Sequence, residues 1–317
     1  MPDRLRALEL FCGIGGCAAA VGSHADVAAA VDVNRRALAV YTHNFPHPAL
    51  ATDLATLSPD AFARWAADLW WLSPPCQPYT RRGLQRDVED PRAAGLLSLL
   101  PKITAIRPPY IALENVPGFE RSRSHALLLD VLDHAGYQFR ERWLCPTELG
   151  VPNMRRRYYL VASQRGWQSG AAHSEPATAN GPPIACRPAA PAWRFRVREI
   201  LDAAPDAGLW VPAERVARYG RGFDVVEADD ERAVTTCFTA GYGRSLVRSG
   251  SYLRTACGPR WFSPAEILRL LGFPPSFTLP PGMLPRHAWP LVGNSLSITV
   301  VRHVLQAFPE LPLQDVA

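Results

Sequence analysis

The sequence predicts an α/β fold: a mostly parallel sheet with helices on both faces, interrupted by a small inserted domain. Between residues 4 and 165, short apolar runs alternate with amphipathic stretches, a pattern typical of parallel strands joined by helices. Glycine, proline or acidic residues follow directly after several of these runs, and open α/β sheets bind ligands at that edge. Residues 166–192 break the pattern with a stretch rich in Pro, Ala, Gly and Ser.

Individual elements follow from the same patterns. The predicted strands are Arg6–Phe11, Val27–Asp32, Leu69–Leu72 and Tyr110–Leu113, with a helix after the second strand through Tyr41. Near the C-terminus, Ser263-Pro264-Ala265-Glu266 forms a capping box with proline at the first helical position, and Gly272 ends that helix. A last amphipathic helix is predicted from about Leu296 to Ala307.

These elements divide the chain into four predicted segments. Residues 1–165 form the first domain, and residues 166–192 form a flexible linker or loop. Residues 193–258 form a smaller, arginine-rich domain, and residues 259–317 return to the first domain.

Composition excludes several classes of protein. The 317 residues are 48% hydrophobic and 20% charged, which is typical of a folded globular chain. No run approaches the roughly 18 apolar residues of a membrane helix, and the start lacks a signal peptide, so we expect a cytoplasmic enzyme. Seven cysteines, no two of them two residues apart, disfavour both a disulfide framework and a zinc ribbon.

The charge balance points weakly towards a nucleic-acid partner. There are 34 basic and 29 acidic residues, and all of the basic residues except Lys102 are arginine. Arginine suits bidentate contacts with phosphates and bases. Codon bias in a GC-rich genome explains the same composition, so both interpretations stay open.

The turn after the first strand matches a nucleotide-binding pattern. Gly13-x-Gly15-x-x-Ala18 follows the strand, and Asp32 ends the second strand 19 residues beyond Gly13. Such glycines admit a ligand close to the backbone, and such a carboxylate accepts hydrogen bonds from ribose hydroxyls. NAD and S-adenosylmethionine both carry a suitable adenosine, and a purely structural tight turn is the alternative.

Two further strand ends carry a thiol and a carboxylate. Cys76 lies in Ser73-Pro74-Pro75-Cys76-Gln77-Pro78-Tyr79-Thr80, where prolines place it at the sheet edge, although a lone cysteine is commonly a buried core residue. Glu114 ends an apolar strand, where burial favours a protonated carboxyl that can share a proton with a ring nitrogen. A helix-capping role is the alternative for Glu114.

Arg155 and Arg157 alternate along the chain, so they point the same way if this segment is extended. Two guanidinium groups on one face could hold a base carbonyl and a phosphate. A solvated basic face is the alternative.

Taken in order, these motifs resemble those of the cytosine-5 methyltransferases. The motifs that carry the resemblance are Phe11-Cys12-Gly13-Ile14-Gly15-Gly16, Asp32, Thr52-Asp53-Leu54, the Cys76 segment, Glu114-Asn115-Val116, Arg155 with Arg157, and Gly293-Asn294-Ser295. The resemblance covers almost the whole chain except residues 166–192. It implies a Rossmann-like, S-adenosylmethionine-dependent methyltransferase fold with a small inserted target-recognition domain.

Other motifs resemble the small type-2 branch of the DNA methyltransferases, which modifies transfer RNA. They are Cys237-Phe238-Thr239-Ala240-Gly241-Tyr242, Leu149-Gly150-Val151-Pro152-Asn153, and Pro75-Cys76-Gln77-Pro78-Tyr79-Thr80-Arg81-x-Gly83. Tyr79 stands where phenylalanine is usual, and Arg156 separates the paired arginines. Residues 1–165 would then be the catalytic and cofactor-binding domain, and residues 193–258 the target-recognition domain.

The resemblance implies roles for individual residues. Cys76 would be the nucleophile and Glu114 the proton donor, with Arg155 and Arg157 as further catalytic residues that favour the Cys76 thiolate. The implied cofactor-binding residues are Phe11, Gly13, Ile14, Gly15, Gly16, Asp32, Val33, Asp53, Leu54, Pro75, Asn294 and Ser295. The implied substrate-binding residues are Gln77, Thr80, Arg81, Asn115, Cys237, Phe238, Thr239 and Tyr242, although Phe238 and Tyr242 could instead pack the core of the small domain.

The implied function is S-adenosylmethionine-dependent methylation of an anticodon-loop cytosine in aspartate tRNA through a covalent bond between Cys76 and carbon 6. A DNA cytosine-5 methyltransferase of a modification system is the first alternative. A nicotinamide-dependent oxidoreductase or a non-catalytic nucleic-acid binder is the second. We expect the protein to bind nucleic acid, with tRNA preferred over DNA. We also expect it to be a monomer that binds no metal and does not associate with a membrane.

Overall fold

The computed structural model of the chain describes residues 4–80, 86–167, 193–311 and 313. Within this part of the chain the strands are β1 (Arg6–Leu10), β2 (Asp26–Asp32), β3 (Ala49–Ala51), β4 (Leu69–Leu72), β5 (Tyr110–Asn115), β6 (Gln138–Leu144), β7 (Asn153–Met154), β8 (Arg157–Ser163), β9 (Asp224–Val226), β10 (Thr235–Thr236), β11 (Ser251–Thr255) and β12 (Gly258–Trp261). The helices are α1 (Gly16–Val21), α2 (Arg35–Asn44), α3 (Pro59–Trp65), α4 (Ala94–Ile106), α5 (Arg123–His134), α6 (Ala213–Tyr219), α7 (Pro264–Leu270), α8 (Pro285–Gly293) and α9 (Ile298–Leu305).

A seven-stranded sheet organises the N-terminal part of the chain. Its strand order is β3-β2-β1-β4-β5-β8-β6. The first five strands are parallel, whereas β8 runs antiparallel to both β5 and β6. The predicted α/β class with a mostly parallel sheet is therefore confirmed. Strand order reverses between β1 and β4, which is where open sheets of this kind bind ligands.

The core of this sheet consists of apolar side chains from almost every strand and from the helices that cover it. Trp70, Leu72, Ile111 and Leu113 are fully buried within it. A strand that is buried on both faces has a continuous apolar sequence, which explains why the sequence predicts β4 and β5.

The chain separates into two compact units. Unit 1 comprises residues 1–144, 156–184 and 301–316, and unit 2 comprises residues 145–155, 185–300 and 317. Unit 2 therefore includes α7 and α8, which we assigned to the returning segment 259–317. Each unit is a set of residues in close contact, whereas the predicted domains are segments with different functions. The predicted domain boundaries therefore stay a prediction. Most of the predicted linker, residues 168–192, lies outside the described residues.

Unit 2 has short strands and an aromatic core. It contains a two-stranded sheet of β7 and β10 and a three-stranded sheet of β9, β11 and β12. Among the described residues, its buried aromatic side chains are Phe238, Tyr242, Tyr252, Trp261, Phe262, Phe273, Phe277 and Trp289.

The predicted elements agree with the structure to within one or two residues at most ends. The capping box is confirmed: the Ser263 hydroxyl accepts from the Glu266 amide at 3.1 Å, and the Glu266 carboxylate accepts from the Ser263 amide at 2.8 Å. Gly272 follows α7 in the left-handed region at φ 85°, as expected for a residue that ends a helix.

Candidate active site

The glycine turn after β1 has the backbone geometry that its residues predict. Gly13 and Gly15 have φ values of 54° and 92°, in the region that favours glycine. A Cβ atom on Gly15 would lie 2.4 Å from a ring carbon of Phe45, so this position must stay small. A Cβ atom on Gly13 would meet nothing within 4 Å, so the space beside Gly13 is open to a ligand.

Asp32 lies at the end of β2 beside this turn. Its carboxylate accepts from the Gly13 amide at 2.8 Å and from the Asn34 amide at 2.7 Å. Burial raises the pKa of Asp32, and the backbone N–H groups oppose that shift. Each carboxylate oxygen has a further lone pair for a ligand hydroxyl. Val33, which follows, is 68% exposed, an uncommon position for an apolar side chain and one that suits a flat apolar ligand.

Asp53 and Leu54 follow β3, the strand next to β2. Asp53 accepts from the Ala55 amide at 2.9 Å, and the Thr52 amide donates to the Asp32 carbonyl at 3.2 Å. The Leu54 carbonyl accepts from Lys102 Nζ at 3.2 Å. These bonds hold Asp53 and Leu54 close to the end of β2.

The Cys76 loop follows β4 directly. Ser73 accepts from the Trp71 indole at 2.8 Å, and the Tyr79 amide donates to the Cys76 carbonyl at 3.0 Å. The Cys76 side chain is half-buried, unlike that of a core cysteine. Gln77 Oε1 is buried and has no hydrogen-bond partner within the described residues, so it is a candidate acceptor for a ligand.

Glu114 lies at the end of the next strand, β5, where Leu113 is paired with Leu72 of β4. Its side chain is almost fully buried, and Oε1 lies 3.1 Å from Nε of Arg157. Burial favours a protonated carboxyl, but the charge of Arg157 favours an ionised one. Burial alone, from which the sequence analysis predicts a protonated Glu114, therefore does not decide the protonation state of this residue.

Three contacts join the loop that carries Cys76 to the end of β5 and the turn that follows it. Asn115 Nδ2 donates to the Pro74 carbonyl at 3.4 Å. The rings of Tyr79 and Phe119 meet edge to face, with their centroids 5.0 Å apart. The burial of Tyr79 at this contact raises its pKa to about 12. A Cβ atom on Gly118 would lie 2.8 Å from the Tyr79 carbonyl oxygen. The thiol and the carboxylate thus belong to one packed edge of the sheet.

Arg155 and Arg157 bind different groups, so their predicted action as a pair is corrected. Arg157 pairs with Glu114, and its Nη1 donates to the Arg156 carbonyl at 2.8 Å. Arg155 is buried in unit 2, where it donates to the carbonyls of Phe238 at 3.0 Å and Gly293 at 3.2 Å, and to that of Ser295. The segment is not one continuous strand: β7 ends at Met154 and β8 begins at Arg157. Arg155 therefore ties two segments of unit 2 together.

The predicted recognition segment is partly a core element. Phe238 and Tyr242 are only 2% and 1% exposed, and their rings meet edge to face at 4.9 Å. The Tyr242 hydroxyl donates to the Ser251 carbonyl at 2.7 Å and accepts from the Phe262 amide at 2.9 Å. Such buried rings offer no face to a base, so the prediction of direct substrate contact is corrected for both. The alternative of core packing agrees with the structure.

The remaining predicted site residues lie in varied environments. Cys237 is half-buried with Sγ 3.3 Å from Arg155 Nη1, and the Thr239 amide donates to the Ser249 carbonyl at 2.9 Å. Asn294 is exposed and Ser295 is buried. Thr80 donates to the Gln77 carbonyl at 3.4 Å, whereas Arg81 lies outside the described residues.

Two residues that sequence reasoning did not single out contribute to this site. Arg92 donates to both oxygens of Asp90, at 2.8 Å and 2.6 Å. This bond raises the pKa of Arg92, with a smaller contribution from the charge of Cys76. Lys102 is the second, and its only sequence signal was that it is the sole lysine.

Within the described residues, no group of three or more His, Cys, Asp or Glu side chains could hold a metal ion. No helix of that same part of the chain is both long and apolar enough to cross a membrane.

Comparison with known proteins adds an independent finding. The family model for the C-5 cytosine-specific DNA methylase matches residues 5–185. The chain is 32% identical to the tRNA (cytosine(38)-C(5))-methyltransferase of Bos taurus, over 96% of this chain and 99% of that protein. It is 31% identical to the Homo sapiens enzyme of the same name, over 97% of this chain and all of that protein. The crystal structure of S. pombe Dnmt2 methyltransferase is similar to it with a TM-score of 0.81 and 30% identity, over 96% of this chain and 97% of that one.

Proposed function

Given that the chain belongs to the C-5 cytosine-specific DNA methylase family, and so is a cytosine-5 methyltransferase that uses S-adenosylmethionine, we propose that its substrate is tRNA. We further propose that the target is an anticodon-loop cytosine of aspartate tRNA. The names of the bovine and human relatives, which specify cytosine 38 of tRNA, support this choice. Family membership leaves no place for the alternatives of an oxidoreductase or a non-catalytic binder.

The proposed reaction begins at Cys76. Carbon 5 of cytosine is a weak nucleophile, so the Cys76 thiolate adds to carbon 6 and makes carbon 5 enamine-like. When bound, S-adenosylmethionine supplies the methyl group that carbon 5 receives. Water then takes the proton from carbon 5, the electron pair of that bond restores the double bond between carbons 5 and 6, and the bond to carbon 6 breaks to release the Cys76 thiolate. The observation that supports this mechanism is the packed edge of the sheet where Cys76 lies in the loop after β4 and Glu114 lies at the end of β5.

Glu114 would act on the ring nitrogen N3. A proton or hydrogen bond at N3 withdraws electrons from the ring while Cys76 adds to carbon 6. Arg157, 3.1 Å from the Glu114 carboxylate, would fix its orientation. Because a buried carboxylate without a partner is unfavourable, the pair also keeps Glu114 in place before substrate arrives.

The residues at the ends of β1 and β2 fit an adenosine-containing cofactor. The Asp32 carboxylate would accept hydrogen bonds from the ribose hydroxyls, and the exposed Val33 would contact the adenine ring. The open space beside Gly13 admits the cofactor close to the backbone. Phe11, Ile14, Gly16, Asp53, Leu54 and Pro75 would complete this part of the site in unit 1. Asn294 and Ser295 stay predicted cofactor-binding residues, on the family resemblance alone.

An anticodon loop suits this chemistry because its bases are not paired. Carbon 6 of a stacked, paired cytosine is inaccessible to a thiol, so a duplex substrate needs the base to be flipped out. Sequence-specific RNA recognition commonly targets loops, where that cost is small.

The test is labelled methyl transfer from S-adenosylmethionine to unfractionated tRNA and to duplex DNA of equal cytosine content, side by side. We expect the initial rate on tRNA to be at least about tenfold higher, because the duplex must first be opened. Methylation of duplex DNA at a defined short site, with tRNA unmodified, would support the DNA alternative instead.

The finer proposal is tested on the tRNA product. Bisulfite sequencing should find the new methyl group at one anticodon-loop cytosine of aspartate tRNA. Methylation spread over other tRNA species would contradict the aspartate tRNA proposal while leaving tRNA as the substrate class.

A further inference from the structure

Unit 2 contains a cleft that has no role in the reaction described above. Its volume is about 630 Å³, and it lies between α6 and the segment 244–247. Binding pockets for small ligands commonly measure about 300–1,000 Å³. The cleft is therefore large enough for a nucleotide.

Positive charge dominates the lining of this cleft. Arg215 and Arg218 come from α6, Arg244 comes from the facing segment, and Glu214 is the one acidic lining residue. No ion pair within the described residues engages any of the three arginines. Arg244 Nη2 donates to the Ala240 carbonyl at 2.9 Å, which holds that side chain near the cleft. Guanidinium groups without carboxylate partners are suited to binding phosphate.

An exposed aromatic ring lies beside these charges. Tyr219, at the end of α6, lines the cleft and is 37% exposed. The Arg218 guanidinium lies over one face of its ring, 5.1 Å from the centroid, where a cation is attracted to the ring. A nucleic-acid base stacks readily on such a ring, and stacking next to cationic side chains is how proteins bind unpaired nucleotides.

The wall opposite α6 is held by its own contacts. The Ser245 hydroxyl donates to the Val247 carbonyl at 3.1 Å, and the Tyr252 hydroxyl donates to the Leu246 carbonyl at 3.0 Å. A Cβ atom on Gly222 would lie 3.0 Å from a methyl carbon of Val247, so the wall packs against the turn after α6. The cleft is thus formed in the protein before any ligand arrives.

We propose that this cleft binds an unpaired nucleotide of the RNA substrate other than the methylated cytosine. Its phosphate would be held by Arg215 and Arg244, and its base would stack on Tyr219. This inference rests on the proposed function, because a fully paired duplex offers no such base. It gives α6 and the segment after Tyr242 a direct role in RNA binding, in place of the buried rings of Phe238 and Tyr242.

The test measures binding of fluorescently labelled, unfractionated tRNA by anisotropy, without methylation. Tyr219→Ala should raise Kd about tenfold, because it removes one stacking surface. Tyr219→Phe keeps the ring and should bind within about twofold of the wild type. Arg286→Ala is the matched control, since Arg286 is an exposed arginine of α8 in the same unit outside the cleft.

Arg215→Ala provides a second, independent readout. Loss of one phosphate contact should lower the magnitude of the log–log slope of Kd against salt by about 0.7–1, whereas Arg286→Ala should leave the slope unchanged. Urea denaturation checks that each variant is folded. If Tyr219→Ala does not fold, the slope of Arg215→Ala decides.

The cleft and the proposed function fail in different ways. Kd values and salt slopes of Tyr219→Ala and Arg215→Ala that match those of Arg286→Ala would overturn the cleft, even if the wild type methylates tRNA. A wild type that methylates only duplex DNA would overturn the proposed substrate, and the same Kd series would still decide whether the cleft binds RNA.

Discussion

The two units position their proposed functional residues in different ways. In unit 1, Cys76 follows β4 and Glu114 lies at the end of the neighbouring β5, and the pairing of these strands runs from Leu69 with Tyr110 to Leu72 with Leu113. In unit 2, the segment that begins at Cys237 follows β10, which has two residues and pairs with the two residues of β7. Side chains distant in sequence then hold it, chiefly Arg155 and the aromatic core.

The difference separates two tasks. A sheet edge with fixed register holds reacting groups in a constant geometry, which covalent chemistry needs. A segment held by a few side-chain contacts can differ between relatives without changes to the sheet. Variants of Cys76 and Glu114 should therefore affect the chemical step, and variants of the unit 2 core should affect stability.

The largest effect is expected for Cys76→Ala. Without the thiol, no bond to carbon 6 forms, so labelled methyl transfer to tRNA should fall below about 1% of the wild-type rate. S-adenosylmethionine binding, measured by isothermal titration, should be unchanged. Cys257→Ala, at an exposed cysteine, is the control and should keep full activity. Activity above that limit in Cys76→Ala would rule out the covalent mechanism.

Glu114→Gln should lower kcat by roughly 10²-fold, because glutamine keeps the size but cannot supply a proton to N3. The KM for tRNA should change little. Steady-state kinetics separate the two parameters, with the exposed Glu89→Gln as control. A change confined to KM would make Glu114 a positioning residue.

Asp32→Ala should weaken S-adenosylmethionine binding by about 1.5–3 kcal/mol, the usual contribution of a hydrogen bond to a charged group. Isothermal titration gives the dissociation constant directly. Asp26→Ala removes an exposed carboxylate from the other end of the same strand and should leave it unchanged. An Asp32→Ala protein that binds as tightly as the wild type would remove Asp32 from the cofactor site.

Tyr242→Phe tests the core role in unit 2. It leaves the Phe262 amide and the Ser251 carbonyl without their partner, so the free energy of unfolding should fall by about 1–3 kcal/mol. Urea denaturation measures this loss, and the exposed Tyr219→Phe is the control. Unchanged stability in Tyr242→Phe would contradict the core assignment.

The last prediction concerns the pH dependence of stability at Glu9, a buried residue of β1 that accepts from the amides of Cys17 at 2.8 Å and Ala18 at 3.1 Å. Burial, partly offset by these amides, raises its pKa from 4.5 to about 8. The folded protein therefore binds more protons than the unfolded chain between these values, so this group makes stability fall as pH rises from about 4.5 to 8.

Glu9→Gln should remove that contribution, which is at most about 1.4 kcal/mol per pH unit. The measurement is the difference in unfolding free energy between wild type and variant across pH 5 to 8, since other titrating groups cancel in the difference. A difference that does not vary with pH would contradict the raised pKa.

The sequence predicts those parts of the fold and site that a local pattern of residues determines. Apolar runs ending in Pro74-Pro75-Cys76 or in Glu114 predicted strands and their ends, because a strand buried on both faces has few other sequences available. Ser263 and Glu266 predicted a helix start for a similarly local reason. The Asp32 position followed from the turn and strand that precede it.

It did not work where contacts join distant residues. Nothing near Arg155 shows that its guanidinium binds the carbonyls of Phe238 and Gly293, 83 and 138 residues away. The burial of Tyr242 likewise depends on Phe262 and Trp289. The cleft at Tyr219 needs α6 and segment 244–247 together, and neither element indicates the other.

Lys102 gives the chain an unusual chemical property. It supplies the only side-chain amine in the sequence, is 6% exposed, and donates to the carbonyls of Leu54 at 3.2 Å and Ser98 at 2.8 Å. Amine-directed reagents therefore meet no accessible lysine on the folded protein. Acylation of Lys102 would report the separation of α4 from the Leu54 segment. The rate of that one modification therefore measures local opening beside Asp53 and Leu54, two of the residues proposed to bind the cofactor.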